Sequence, residues 1–382
     1  MSTVPRRAFL GALYLVALAA FFEAGSRLAL SNPELFERVT RTNADAAWRL
    51  RWLARQKDGP RLYYRFDVHH PSRGWAVRPH VRETGVWGSA TLTTNARGLR
   101  GGRDHDYAKP PGRTRIVTLG DSFTFGDEVS DEETWPHQLE QLTPGVEVLN
   151  LGVHGYGHDQ MLLYLREEGV RYAPDVVLLG FLSDDMERNV IGFRDYAKPR
   201  FDLDSGALRL RNVPIPPPEV LSERVGSRFL DLLSLVWVTY EWRSGRTSAF
   251  TRELTTAILD AIAETARSSG AVPVYAYLPV YGEIDKPDPS MTRRERFFFD
   301  YCSERGIDSV YLRPHFLPRV RAGVELKTHG HWGPLEHRIA AEGIRDRLLE
   351  LGLVPAARSR HSGAPLPRNP LGEPPQPARN GR

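Results

Sequence analysis

Between residues 115 and 351 short, almost wholly apolar runs recur, each separated from the next by a stretch whose apolar residues fall at helical spacing. The runs are Ile116-Val117-Thr118-Leu119, Val146-Glu147-Val148-Leu149, Val176-Val177-Leu178-Leu179, Val272-Pro273-Val274-Tyr275-Ala276-Tyr277 and Ser309-Val310-Tyr311-Leu312. Between and after them the spacing predicts helices over 132–142, 159–168, 249–268, 292–305 and 334–351. A strand that is apolar on both sides must be covered on both faces, and helices linking successive strands supply that cover while making the strands parallel. The expected fold is α/β: three layers, α/β/α, around a flavodoxin-like parallel sheet of about five strands. In such a sheet ligands bind beyond the carboxyl ends of the strands, so the loops that follow the apolar runs are where function is sought.

The flanks of this domain, placed at 113–353, have other compositions. Arg6 and Arg7 precede an uncharged apolar run over 8–22, and the apolar character resumes after Glu23 and Arg27 with Leu28-Ala29-Leu30. That is long enough to span a bilayer if Glu23 and Arg27 lie at the far interface. Basic residues before the span put the rest of the chain on the exported side, so residues 1–30 are expected to be a single-pass membrane anchor with an extracytoplasmic (periplasmic or extracellular) main domain. A signal peptide cleaved after Ala17-Leu18-Ala19 is the alternative. Residues 31–112 are predicted to hold a stalk helix near 46–59 and a small β-rich preface of short strands broken by proline and glycine turns. An insertion near 193–246 carries a hairpin in which Phe201, Leu203, Leu208 and Leu210 alternate with polar residues. The segment 354–382 is rich in proline, arginine and glycine and is expected to be a disordered tail.

Bulk composition narrows the function classes. With 382 residues, 41% of them hydrophobic and 26% charged, the chain can bury one large core. Lysine and arginine exceed the acids by 51 to 47 and are scattered, without the basic stripe or zinc-finger spacing of a nucleic-acid reader. The single cysteine, Cys302, permits no intrachain disulfide and no C-x-x-C site. Its aromatic neighbours Phe297-Phe298-Phe299 suit a buried structural thiol.

The first run leads directly into Gly120-Asp121-Ser122-Phe123-Thr124-Phe125-Gly126, which puts a serine hydroxyl just past a strand's carboxyl end. Flanking glycines allow a tight turn and close approach of backbone N–H groups to a substrate oxygen. The second run ends in Asn150-Leu151-Gly152-Val153-His154-Gly155-Tyr156-Gly157, and the third in Gly180-Phe181-Leu182-Ser183-Asp184-Asp185. Far downstream, His329-Gly330-His331-Trp332-Gly333-Pro334 precedes the last helix. No G-x-S-x-G elbow is present, which argues against an α/β-hydrolase.

At these residues the chain resembles the SGNH hydrolase superfamily, also called GDSL esterases, from about residue 113 to 351, as a membrane-tethered member. The block G-D-S-x-T-x-G is matched at every fixed position, the second block's glycine falls on Gly155, the third block on Ser183-Asp184-Asp185, and the last on His331 with the helix Glu336-His337-Arg338-Ile339-Ala340-Ala341-Glu342. The resemblance implies Ser122 as nucleophile and His331 as general base and then acid. It places the oxyanion on the N–H groups of Ser122 and Gly155 and on a side chain at Asp184. Asp121 would orient the nucleophile loop, with Asp185 and His329 as further orienting residues. No cofactor and no metal are implied, although His329, His331 and His337 with Asp184 and Asp185 form the one cluster with metal-ligand chemistry.

Two positions depart from the family pattern. Asp184 stands where asparagine is usual, and the orienting aspartate's place falls on His329 or on Thr328. An ionised Asp184 about 4 Å from a developing oxyanion would oppose it by roughly 4 kcal/mol at an effective dielectric near 20. Asp184 must then be protonated, be turned away, or mark a weakened site. Two functions follow: a serine esterase or O-acyltransferase acting on an acyl ester of a cell-envelope polysaccharide, lipid or related small molecule, and a catalytically weakened relative that binds a glycan or envelope polymer without turnover.

Overall fold

A computed structural model describes residues 6–56, 61–221, 226–284, 290–327 and 329–356. The five apolar runs form one parallel sheet of β1 (Thr114–Gly120), β2 (Val146–Gly152), β3 (Val176–Phe181), β4 (Val272–Tyr277) and β5 (Asp308–Tyr311). Its order is β5-β4-β3-β1-β2. The register sets Gly120 opposite Gly152 and Leu119 opposite Leu179, so three strand ends finish level. Side chains alternate across the sheet as the two-residue period requires. Ile116, Val148, Leu178 and Val274 pack under the helices Trp135–Leu142 and Pro334–Glu350, while Val117, Leu149, Leu179 and Tyr275 pack under His158–Glu167 and Arg246–Ser268. This is the expected α/β/α sandwich with flavodoxin-like strand order. The chain leaves β1 for one edge and returns beside β1 to continue toward the other. That reversal opens a crevice at the carboxyl ends of β1 and β3.

The preface consists of two antiparallel pairs, Asp67–His70 with Gly74–Val77 and Arg82–Thr84 with Thr91–Thr93. Its Phe66, Trp75, Val81, Leu92 and Leu99 belong to the same buried cluster as the sheet, so it is part of the domain's core. The stalk helix runs Asp45–Arg55. The insertion carries the expected hairpin, Arg200–Asp204 with Ala207–Arg211. It is pinned by the fully buried Lys198, whose Nζ reaches Asp159 and the carbonyls of Arg188, Ile191 and Pro199.

Among the described residues, three helices of eight residues or more were not predicted. Pro33–Thr40 is only two turns long, and Arg313–Arg321 carries Pro318 in its interior, ordinarily a helix breaker. Arg228–Arg243 reads RFLDLLSLVWVTYEWR, apolar around nearly its whole circumference, which hides the helical period. It packs along the N-terminal helix Arg6–Leu30, of which Ala8–Leu30 is long and apolar enough to cross a membrane. Glu23 caps it, accepting from Ser227 Oγ at 2.8 Å and from the N–H groups of Arg228 and Phe229 at 3.1 Å. Arg27 pairs with Glu23 at 2.8 Å, and Phe22 stacks on Phe229 at 5.0 Å. The two charges expected to reach for the interface thus have partners within the protein. Most of the expected tail, 357–382, lies outside the described residues.

Candidate active site

β1 delivers the chain into a short helical turn, Ser122–Phe125. Asp121 caps it: its Oδ1 accepts the Phe123 N–H at 2.9 Å. A Cβ on Gly120 would strike the Thr124 side chain, and one on Gly152 would strike the backbone of Phe125. The turn can therefore sit down on the ends of β1 and β2 only because both positions are glycine. Asn150 Nδ2 donates to Thr124 O at 2.9 Å from the same strand end.

Ser122 Oγ donates to His331 Nε2 at 2.8 Å, and the Nδ1–H of that tautomer donates to Glu128 Oε1 at 3.0 Å. The serine and histidine named from sequence are thereby brought together, 209 positions apart in the chain. The residue behind the histidine is not the expected one. His329 is exposed, and Thr328 lies outside the described residues; Glu128, from the loop just after the Ser122–Phe125 turn, is the carboxylate that meets His331 Nδ1. Its backbone is left-handed (φ 70°), which swings the carboxylate back toward His331, and Gly330 (φ 73°) leaves room beside it. Partial burial pushes the Glu128 carboxyl upward, but hydrogen bonds from Lys327 and His331 outweigh it and hold the group below its ordinary value.

Behind this row lies a second, buried acid. Asp127 Oδ2 is 3.9 Å from His331 Nε2 and accepts from Tyr64 OH at 3.2 Å; burial raises its pKa. The loop bearing both acids is held by Arg100, from the Asn95–Gly101 stretch of the preface. Arg100 pairs with Asp131 at 2.5 Å and donates to Gly126 O at 3.1 Å and Val129 O at 2.8 Å. Sequence reasoning missed Glu128, Asp127, Tyr64 and Arg100. The adjacent acids Asp127-Glu128 right after the G-D-S-x-T-x-G block were the available signal.

On the opposite side of Ser122, Gly155 has φ 74° and the turn hydrogen bonds around it use neither its N–H nor that of Ser122. A Cβ on Gly155 would strike Arg194 Nη1 and come within 3.2 Å of Asp195 Oδ2, so the Arg194–Asp195 ion pair lies directly against this glycine. Arg188 ties the three strand-end loops together, reaching Asp121 Oδ2 at 3.0 Å, Tyr156 O at 2.9 Å and Asp185 Oδ1 at 2.5 Å. Asp121 and Asp185 therefore orient loops through Arg188; burial pushes the Asp185 carboxyl well up despite that contact. Asp184 is turned away. Its side chain is 42% exposed and pairs with Arg294 at 3.0 Å, so β3's loop directs the carboxylate expected at the oxyanion to the surface, while the Arg194–Asp195 pair stands beside Gly155. His337 is buried below the site and its Nδ1 accepts the Trp135 N–H at 3.1 Å, far from metal-ligand duty with the exposed His329.

A cleft of about 640 Å³, lined by Arg55, Gln56, Tyr63, Tyr64 and His69 among others, opens on the preface side and shares Tyr64 with the Asp127 contact.

No family model matches the chain, and no curated protein does. Solved structures with related folds are GDSL lipolytic proteins and acetylxylan esterases among others. A member of the lipolytic protein G-D-S-L family from Veillonella parvula is 14% identical, with 62% of this chain and 97% of that one covered at a TM-score of 0.37. A catalytic mutant of an acetylxylan esterase from Geobacillus stearothermophilus is 13% identical, with 65% and 100% covered and a TM-score of 0.37. An α/β hydrolase from the metagenome of Lake Arreo, Spain, is 12% identical, with 65% and 99% covered and a TM-score of 0.38. Likeness this distant fixes neither activity nor substrate, which have to be argued from the site itself.

Proposed function

We propose that the chain is a serine esterase or O-acyltransferase of the SGNH type that works through Ser122, His331 and Glu128. The observation that carries this reading is the continuous row Ser122 Oγ–His331 Nε2 at 2.8 Å and His331 Nδ1–Glu128 Oε1 at 3.0 Å. In this mechanism Ser122 Oγ attacks the ester carbonyl carbon while its proton passes to His331 Nε2. Glu128 keeps the imidazole in the required tautomer and balances the imidazolium that forms. The tetrahedral oxyanion is held by the N–H groups of Ser122 and Gly155, with Arg194 as the cationic neighbour in place of the usual asparagine. His331 returns its proton to the leaving alkoxide, and water or an acceptor hydroxyl then releases the acyl group by the same steps in reverse order.

The aromatic and polar lining of the cleft beside Tyr64 suits a hydroxyl-rich acceptor or polysaccharide carrying the acyl ester. Arg6–Leu30 serves as a single-pass anchor, with the catalytic domain on the extracytoplasmic side. Labelling of the full-length protein with a fluorophosphonate tests the reading. Wild type should label and Ser122→Ala should not, with His331→Ala at the same floor because the two act as one unit. Wild type that folds but does not label would leave the binding-only alternative.

A further inference from the structure

On the far side of the Ser183–Asp184 loop from the nucleophile lies a second cavity, of about 580 Å³. Its apolar wall is made by Met186, Val190, Val238, Trp242 and Phe297, and its rim by Arg41, Arg243, Arg252, Arg293 and Arg294. Glu187 is the one carboxylate among the described lining residues, and burial pushes it toward its neutral form. Arg294 is engaged by Asp184 and Ser183. The other four arginines make no ion pair or side-chain hydrogen bond among the described residues, whereas Arg49 and Arg228, outside the cavity, are both tied to Asp231. Four unpaired guanidinium groups around one mouth repel one another, and an anion relieves that repulsion. Their planar forks match the oxygens of a phosphate.

The cavity's position says where such an anion comes from. One wall is the carboxyl half of the helix Arg228–Arg243, whose amino end is capped by Glu23 and stacked on Phe22 of the apolar N-terminal helix. From Phe229 to Trp242 that helix rises about 20 Å. Along it Leu230, Leu233, Trp237 and Tyr240 are all exposed at a spacing that puts them on one stripe. An apolar stripe ending in Trp and Tyr is the composition of a membrane–water interface.

We propose that this cavity binds the phosphate-bearing headgroup of a membrane amphiphile, with the free arginines on the phosphate and the wall of Met186, Val190, Trp242 and Phe297 on the adjoining apolar part. The proposal rests on reading Arg6–Leu30 as a membrane span, and it does not depend on Ser122 chemistry. The full-length protein in maltoside micelles is titrated with dihexanoyl phosphatidic acid, a soluble short-chain probe, and followed by tryptophan fluorescence. Saturable binding is expected, weakened at least tenfold by Arg252→Glu with Arg293→Glu and unaffected by Arg338→Glu on a distant helix. Melting curves establish that the variants fold; if the double variant does not, Arg252→Gln and Arg293→Gln singly should each weaken binding. Inorganic phosphate should bind more weakly through the same arginines, and dihexanoyl phosphatidylcholine should bind little. The proposal is overturned by absent saturation, by indifference to the charge changes, by phosphatidylcholine binding as tightly, or by inorganic phosphate matching the lipid. Tighter binding of an oligoalginate at the same arginines would overturn it in favour of an acidic polymer. Because the probe is soluble, binding is measured independently of the span, which is tested separately: release of the protein from membranes by alkaline carbonate would remove the span and with it the membrane source of the amphiphile, overturning the proposal even where the probe binds.

Discussion

Two adjacent carboxylates compete for a role behind His331, and their geometry separates them. Glu128 meets Nδ1 at 3.0 Å, the nitrogen whose proton must stay in place while Nε2 works; Asp127 stands 3.9 Å from Nε2 itself and is already bonded to Tyr64. Glu128→Gln should therefore cut kcat on a short-chain aryl ester by about 10²–10⁴-fold, since an amide can favour the wrong tautomer. Asp127→Asn should cost clearly less. Steady-state kinetics on both variants decides the matter, and an equal loss in the two would remove the assignment of Glu128. This acid was not legible because the spacing rule of the last block points to residues just before His331. The carboxylate that meets Nδ1 comes from a loop 203 positions earlier, aimed by a left-handed φ that no linear motif records. Ser122 was legible for the opposite reason: the glycines that let its turn seat on β1 and β2 are written beside it. Asp184 could be recognised as unsuited to an oxyanion, but only the side chain's direction toward Arg294 chose among the three arrangements left open.

At the scale of elements, all five strands and the helices that cover them, apart from Arg313–Arg321, could be read from periodicity, because each has one task and one period. The preface was legible as β-rich, yet its purpose was not, since that purpose lies in contacts with a loop a few tens of residues downstream. Arg100 holds Gly126 O and Val129 O and stacks over Phe125 at 4.9 Å, fixing the loop that carries Glu128. Breaking its nearly buried pair with Asp131 by Arg100→Met should cost about 3–5 kcal/mol. Adding Asp131→Leu removes the stranded charge and should recover much of that stability. It should not recover kcat, because the two loop carbonyls stay unheld and Glu128 stays loose. Denaturant unfolding and ester kinetics measured on the same three proteins test this. Parallel recovery of stability and kcat would reduce Arg100 to a purely structural residue. The helix Arg228–Arg243 was missed for a related reason: it serves the N-terminal helix, the stalk and a cavity at once, so apolar residues face several ways.

At the scale of the whole molecule, the stalk helix Asp45–Arg55 runs from the arginine-rimmed cavity near its amino end to the aromatic cleft at its carboxyl end, on the side of the sheet that the preface and the helix Arg246–Ser268 cover. Both layers of helix must stay docked for that arrangement to hold, and the docking of one layer depends on a neutral histidine. His337 is fully buried at the start of Pro334–Glu350, packs edge-on to Trp332 at 5.6 Å and accepts the first N–H of the helix Trp135–Leu142. Burial lowers its pKa to about 3, with the charges of Arg100, His331 and Lys327 acting in the same direction. An unfolded histidine titrates near 6.5. The folded pKa is depressed for a base, so the stability contributed by neutral His337 is complete above about pH 6.5 and is lost as pH falls from there toward 3. In that window the unfolded chain binds one more proton than the folded one, a slope of about 1.4 kcal/mol per pH unit from this residue alone. Buried carboxyls such as Asp127 and Asp159, whose pKa values burial raises, titrate in the opposite sense and offset part of the total decline. A difference measurement isolates the histidine. His337→Asn keeps an oxygen for the Trp135 N–H and loses the titration, so the free-energy gap between wild type and variant, measured by urea unfolding, should narrow by about 1.4 kcal/mol for each unit between pH 6.5 and 4.5. A gap that stays constant across that range would mean that the folded protein protonates His337 as readily as the unfolded chain, and the ring would then not be the buried acceptor that keeps the two helices together.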